Sequence, residues 1–459
     1  MKYLKFLTMV LAMTFSMSAC DGLLNIDPQQ SLDNQTALNN SQNVESTLVG
    51  AYSRMGATNT GAATLYGGPL LYLADFLGAD HNEVTWSGSF FPQRQVWDKD
   101  IPVDNPVTTA IWTNAYNVIN RVNNVISALD VVDEDIRDRV EGEAKFIRGL
   151  MYFELVRLYG KAWNDGDPES NLGVPLVLEP TDAITEENNI SRNTVSEIYA
   201  QILLDLEDAK NKLPLKNSYY ADTYAASAIL SRVHLAQGTY DDAAGESSRV
   251  IEESHYELVS DYEDVYNTSN NTTEDIFAIQ VTSQQGLNEL QSFYEAEDAG
   301  RGDVDILEGH LDLYEDDDER LALFYEDDGG VMRSGKWANA TDGNVHIIRL
   351  AEMYLTRAEA NFREGTSVGD TPLNDINEIR DRANLDDLDD LTLEDILLER
   401  KLELAFEGHF IHDLKRTEGS VVGTGGEVFQ YNASELIFPI PEREMDANPG
   451  LEGQQNDGY

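Results

Sequence analysis

Cysteine is almost missing: a chain of 459 residues holds a single Cys, at position 20. One thiol closes no disulfide within the chain, so the fold has to be held by packing, which a chain of this length can supply. Positive charge is scarce as well. Against 83 Asp and Glu stand 32 Lys and Arg, for a net charge of −51. A polyanion of that kind is repelled by DNA and RNA at ordinary salt, which sets nucleic acid aside as a partner. Such a surface is more often an adaptation to a salty medium than a binding device. Long apolar runs are missing beyond Phe6–Met17, and that run is too short to span a bilayer as a helix. No GxSxG, no HExxH and no Gly-rich nucleotide loop after a strand is present. Hydrophobic residues still make up 41% of the chain, which excludes general disorder.

What is there begins at the N-terminus. Lys2 and Lys5 precede the apolar run, so the segment has the n-region and h-region of an export signal. Met17-Ser18-Ala19-Cys20 then resembles the lipobox of bacterial lipoproteins, with Met17 where Leu is usual. The resemblance implies cleavage before Cys20 and lipid chains on it, more than one of which gives stable membrane attachment. An ordinary secretory signal cut near Ala19 is the alternative. Residues 1–19 read as the signal and 20–40 as the lipidated Cys and a tether without helical periodicity.

Helix dominates the rest. Ser41 and Glu45 mark a capped start for a helix with Val44, Leu48, Val49 and Tyr52 on one face. Amphipathic periodicity predicts further helices over Ile111–Leu129, Asp135–Tyr159, Val195–Leu213, Tyr224–Glu253, Val345–Arg363, Leu373–Ala383 and Leu393–Phe406. In Val195–Leu213, Thr194 and Glu197 have capping-box spacing, Ile198, Tyr199, Ile202, Leu203, Leu206, Ala209 and Leu213 form the stripe, and Pro214 ends it. Residues 276–281, IFAIQV, alternate as a short strand does. Loop-rich stretches at 57–110 and 255–345 carry Trp86, Trp97 and Trp337.

Repeats shape the architecture. In 225–253, small residues and Leu230 lead to Gly238, Tyr240 and Ala243, a spacing that resembles the tetratricopeptide repeat. Residues 349–365 have the same first-helix character and end at Gly365. Two such segments favour a mainly α, tetratricopeptide-like scaffold with long loop-rich insertions and minor β.

Several blocks together resemble one family, the SusD/RagB outer-membrane lipoproteins of Bacteroidetes. After Cys20 comes Leu24-Asn25-Ile26-Asp27-Pro28, similar to the family's Leu-Asp-x-x-Pro. EAKFIRGLMYFELVRLYG (143–160) is similar to its long helical block, with Gly149 where Ala is commoner, and Gly173-Val174-Pro175-Leu176 follows. RLAEMYLTRAEA (349–360), INEIRDRANL (376–385), LLERKLELAFEGHFIHDLKR (397–416) and the stretch 438–459 match the C-terminal blocks in order. The resemblance implies a single domain over 41–459, with an N-terminal part to about residue 215 and a repeat-bearing C-terminal part. It further implies a glycan-binding lipoprotein of the outer-membrane surface that works as a lid on a SusC-like TonB-dependent transporter, with no catalytic chemistry and no cofactor.

Sugar recognition asks for flat apolar faces flanked by amides, carboxylates and Arg. Residues 81–98, HNEVTWSGSFFPQRQVWD, supply Trp86, Phe90, Phe91 and Trp97 beside Asn82, Gln93 and Arg94. A second half is expected from Gln284, Gln285, Phe293, Tyr294 and Arg301, or from Trp337. For each ring a place in the core or at the transporter interface is the competing reading. The acidic surface favours a neutral glucan or fructan over an anionic polymer, unless Arg94 and Arg301 make the site basic. Arg349, Glu352, Arg357 and Glu359 are spaced to pair across helical turns. Glu403, Glu407, His409, His412 and Asp413 crowd one block and read as an ion-pair cluster rather than a metal site. The acidic stretches 312–320 and 385–395 lack the EF-hand order, so solvated faces outweigh a structural calcium there. A tetratricopeptide adaptor binding proteins or peptides is the second reading. A surface glycoside hydrolase, which needs two carboxylates in one groove, is the third.

Overall fold

Helices supply the frame. In chain order those of six residues or more are α1 (Ser41–Met55), α2 (Pro69–Gly78), α3 (Phe91–Trp97), α4 (Pro106–Ser127), α5 (Arg137–Tyr159), α6 (Val195–Lys212) and α7 (Thr223–Gln237). Then come α8 (Tyr240–Ile251), α9 (Glu289–Tyr294), α10 (Leu350–Glu364), α11 (Pro372–Arg382), α12 (Leu393–Glu403), α13 (Phe410–Arg416) and α14 (Glu442–Ala447). The computed structural model describes residues 38–56, 65–182, 185–253, 255–282, 288–296, 300–338 and 342–459. Cys20, Gln284 and Gln285 lie outside them.

The long helices pack in chain order, α1 on α4, α4 on α5, α5 on α6, α6 on α7 and α7 on α8, after which α8 packs on α10 and α10 on α11. Between α7 and α8 the contact is made by small residues. Ala225, Ser227, Ala228 and Ser231 on α7 and Ala243, Ala244 and Ser247 on α8 are fully buried, so the two backbones approach closely. Gly238 ends α7 in the left-handed region at φ 74° and Gly365 ends α10 at φ 69°, as the repeat spacing requires. Gly149 has a physical role too: a Cβ there would lie 3.0 Å from Leu206 Cγ on α6.

The Thr194–Glu197 capping box forms as expected. At α1 the cap is Asn40, whose side chain accepts from the Asn43 N–H, and Ser41 is the first helical residue. Val49 is exposed, and Ala51 and Met55 take the core positions instead. The stretch Val345–Arg363 is not one helix. Its first five residues form β6 and only Leu350 onward is helical. Likewise Tyr224–Glu253 breaks at Gly238 into α7 and α8.

The described strands pair in four antiparallel couples. β1 (Val84–Trp86) pairs with β3 (Val304–Ile306), and β2 (Asp275–Ile279) with β6 (Val345–Arg349). β4 (Phe324–Glu326) pairs with β5 (Met332–Ser334), and β7 (Ser420–Val422) with β8 (Val428–Gln430). β2 and β6 are buried on both faces.

Charged side chains of the C-terminal blocks pair chiefly between elements rather than across the turns of their own helix. Arg349 Nη1 lies 2.7 Å from Glu274 and 2.6 Å from Glu403, and its Nε is 2.8 Å from Glu407. Glu352 pairs with Arg232 of α7 at 2.6 Å, and Arg357 with Asp375 of α11 at 2.6 Å. Glu359 does meet Arg363 one turn on, but it also pairs with Arg416 of α13. These carboxylates and guanidinium groups are buried, which a fold tolerates only when every charge is partnered.

Candidate functional site

β1 places the first half of the expected platform. Its alternation sends Val84 and Trp86 to one face and Thr85 to the other, and that face is the core. Trp86 is therefore 1% exposed, edge-on to Phe293 with ring centres 5.0 Å apart and 5.6 Å from Phe76. Trp97 is buried on α3 and donates from Nε1 to the Val84 carbonyl at 3.2 Å. Phe293 and Tyr294 are buried on α9, the latter against Phe406 at 5.6 Å. Trp337 is buried and donates to the Phe406 carbonyl at 3.0 Å. All five rings are core residues and present no face to a ligand. Gln93 is buried as well, its Nε2 3.4 Å from the Tyr72 hydroxyl.

Two rings remain outside. Phe90 is 43% exposed and Phe91 66%, adjacent at the start of α3, where Pro92 fixes the first turn. Phe90 rests on the buried aromatic layer through Phe293, 6.0 Å away. The Arg301 guanidinium lies 4.6 Å over the Phe90 ring and is oriented by Asp303 at 2.6 Å. Arg301 Nη2 also reaches the Ser89 hydroxyl at 3.4 Å. Arg94, half-buried, donates to the Trp86 carbonyl at 2.6 Å.

Strand pairing brings Arg301 there. The register Trp86↔Val304 continues into a hydrogen bond from the Ser87 N–H to the Asp303 carbonyl at 2.9 Å. Ser87 then bonds Asp305 at 2.7 Å, and Asp305 is paired with Arg333 at 2.6 Å. The result is an exposed aromatic pair bordered by Arg301, Asp303, Ser87 and Asp305, with hydroxyl, carboxylate and guanidinium groups in reach of one another. Asn82 is exposed but precedes the opposite end of β1, where its carbonyl accepts from the Gly309 N–H, so it is not part of this patch. Ser87, Ser89, Asp303 and Asp305 escape sequence reasoning, because only the β1–β3 register brings the two stretches together.

Among the described residues, no group of three or more His, Cys, Asp or Glu is placed to hold a metal ion. His409 and His412 are held well below the usual imidazole range by burial, and Glu407 is held low by Arg349 and Lys336 against the opposing effect of burial. Glu403, Glu407 and Asp413 are ion-pair partners of buried Arg and Lys side chains, whereas the two histidines are packed uncharged among them. No helix among the described residues is long and apolar enough to cross a membrane.

With this geometry in view, two family models match, one described as the SusD family over residues 331–459 and one as starch-binding and associating with the outer membrane over residues 24–235. The chain belongs to the SusD/RagB family. SusD-like protein P2 of Formosa agariphila is 25% identical over 91% of this chain and 92% of its own length. Starch-binding protein SusD of Bacteroides thetaiotaomicron is 35% identical over 136 residues, 27% of this chain and 23% of that protein. A SusD superfamily crystal structure from Bacteroides thetaiotaomicron superposes with a TM-score of 0.81 at 25% identity, covering 91% of this chain and 99% of that one. A crystal structure from Bacteroides vulgatus, named for sugar binding, gives a TM-score of 0.82 at 28% identity, covering 92% of this chain and 100% of that one. This is a family of sugar-binding proteins associated with the outer membrane.

Proposed function

We propose that the protein is a surface-exposed glycan-binding lipoprotein, anchored through lipids on Cys20, that captures oligo- or polysaccharide and hands it to a SusC-like TonB-dependent transporter. It binds and makes no bond, and it uses no cofactor. The observation that carries the reading is the adjacent pair Phe90 and Phe91, large apolar rings left in water beside an oriented Arg301. Burying such rings against the C–H face of a sugar recovers about 25 cal/mol per Å² of apolar surface, while Arg301, Asp303 and Ser87 bond its hydroxyls. Family membership supports the same reading. A neutral glucan or fructan suits a chain with a net charge of −51. The segment 20–40 serves as the tether that keeps an open lid at high effective concentration over its barrel.

Affinity electrophoresis of the mature chain in gels cast with neutral and anionic polysaccharides tests this. Retardation by a neutral glycan, abolished by Phe91→Ala and weakened by Arg301→Ala, is expected. Retardation by no glycan would reject capture by this surface and favour the protein-binding adaptor. Retention unchanged in Phe91→Ala would move the site elsewhere.

A further inference from the structure

This acidic chain gathers six cationic side chains round one cavity of about 40 Å³, Arg157, Lys161, Arg232, Arg400, Lys415 and Arg416. The cavity lies where the last turns of α5 and α7 meet α13 and the turn carrying Trp163 and Asn164. It shares no residue with the Phe90 patch. All four guanidinium groups already have carboxylates. Arg157 pairs with Glu154 at 2.6 Å, Arg232 and Arg400 share Glu352, and Arg400 and Arg416 share Asp413 at 2.9 and 2.7 Å. Arg416 also meets Glu359.

Donors are left over. Arg157 Nε and Arg416 Nη2 find no acceptor among the described residues, although both side chains are 9% exposed. Lys415 is 4% exposed, and no ion pair is found for it among the described residues. Its Nζ has the Arg157 carbonyl at 3.4 Å. Burial pulls its pKa down to about 7. His409 and His412 line the cavity too, and burial holds both uncharged at neutral pH. With the four guanidinium groups matched by Glu154, Glu352, Glu359 and Asp413, the last of which lines the cavity, the surplus positive charge there is that of the lysines, and spare N–H groups on Arg157, Arg416 and Lys415 would all be partnered by one anion.

We propose that this cavity is an oxyanion site, in which a single sulfate, phosphate or carboxylate group accepts hydrogen bonds from Arg157, Lys415 and Arg416. At its mouth stand Lys161, 39% exposed, and the half-buried Trp163, edge-on to Tyr199 with ring centres 5.0 Å apart. That mouth admits the group free, or carried by a sugar ring lying against Trp163.

Isothermal titration of the mature protein with sulfate, phosphate, glucuronate and galactose 6-sulfate, each in chloride of matched ionic strength, tests the site. One saturable site for at least one of these is expected, weakened at least about tenfold in Lys415→Met by loss of a charge-assisted hydrogen bond. Tighter binding of the sugar-borne group than of the inorganic ion assigns the source to a saccharide, and equal or weaker binding assigns it to the free ion. No saturable heat with any of them, or undiminished affinity in Lys415→Met, overturns the proposal. Crystals soaked in selenate give a readout that needs no variant: an anomalous peak between Arg157 and Arg416 is expected, and its absence would also overturn the site.

Discussion

His310 sits among Tyr314, Phe324, Phe406 and Phe410, the Phe406 ring centre only 4.8 Å away, and burial holds its pKa down to about 3. In the unfolded chain the same group titrates near 6.5, so between those values unfolding takes up a proton. The stability contributed by the neutral ring is complete above pH ~6.5 and is lost as pH falls toward about 3, by about 1.4 kcal/mol per pH unit. His310→Phe keeps the ring packing and removes that slope. Urea unfolding at successive pH values should show the variant gaining on the native chain as the solution is acidified; a constant gap would mean that His310 protonates within the fold. Arg349 makes the opposite case, a charge that cannot be removed. Arg349→Met would leave Glu274 and Glu403 leaning on Arg382 and Glu407 on Lys336 alone, with one buried cation too few among them, and a loss of about 3–5 kcal/mol is expected by the same unfolding measurement. Trp86→Ala should cost about 3–5 kcal/mol as a core truncation. Phe91→Ala, at an exposed ring, should stay within about 0.5 kcal/mol of the native chain.

At the scale of the element, the capping box of α6 gives a sharp expectation. Thr194→Ala removes the hydrogen bond to the Glu197 N–H at 3.2 Å and should lower stability by about 1 kcal/mol, read from denaturant midpoints. That box, the Gly238 stop and the small-residue faces of α7 and α8 were legible because each depends on neighbours a few residues apart. Val345–Arg363 reads as one helix because VHIIR, with Ile347 and Ile348 adjacent and His346 and Arg349 buried beside them, carries no polar–apolar alternation to set a strand buried on both faces apart from helix. The platform was half legible. Val84-Thr85-Trp86 alternates, and Leu290 with Phe293 and Tyr294 has helical spacing, so the inward direction of Trp86, Phe293 and Tyr294 was written in periods that their aromatic character overshadowed. What brings Arg301 to Phe90 is the β1–β3 register, a pairing over two hundred residues apart, and no local pattern encodes it.

For the molecule as a whole, helical packing supplies a rigid frame, buried ion pairs tie its C-terminal blocks together, and the strand-bearing insertions present the patch to solvent. The absence of disulfides is met by the depth of that interior, which runs from Val44 to Leu451 in one hydrophobic cluster. A rigid frame with one exposed aromatic pair suits capture of a flexible chain such as a polysaccharide, since the side chains that touch it are already ordered by Phe293, Asp303 and Ser89. The most direct test of this account is hydroxyl-radical footprinting of the mature chain with and without the glycan that retards it. The account predicts protection of Phe90 and Phe91, with the buried Trp86 and Trp97 unreactive in both states. Protection confined to other surfaces, with Phe90 and Phe91 equally oxidised in both samples, would contradict it.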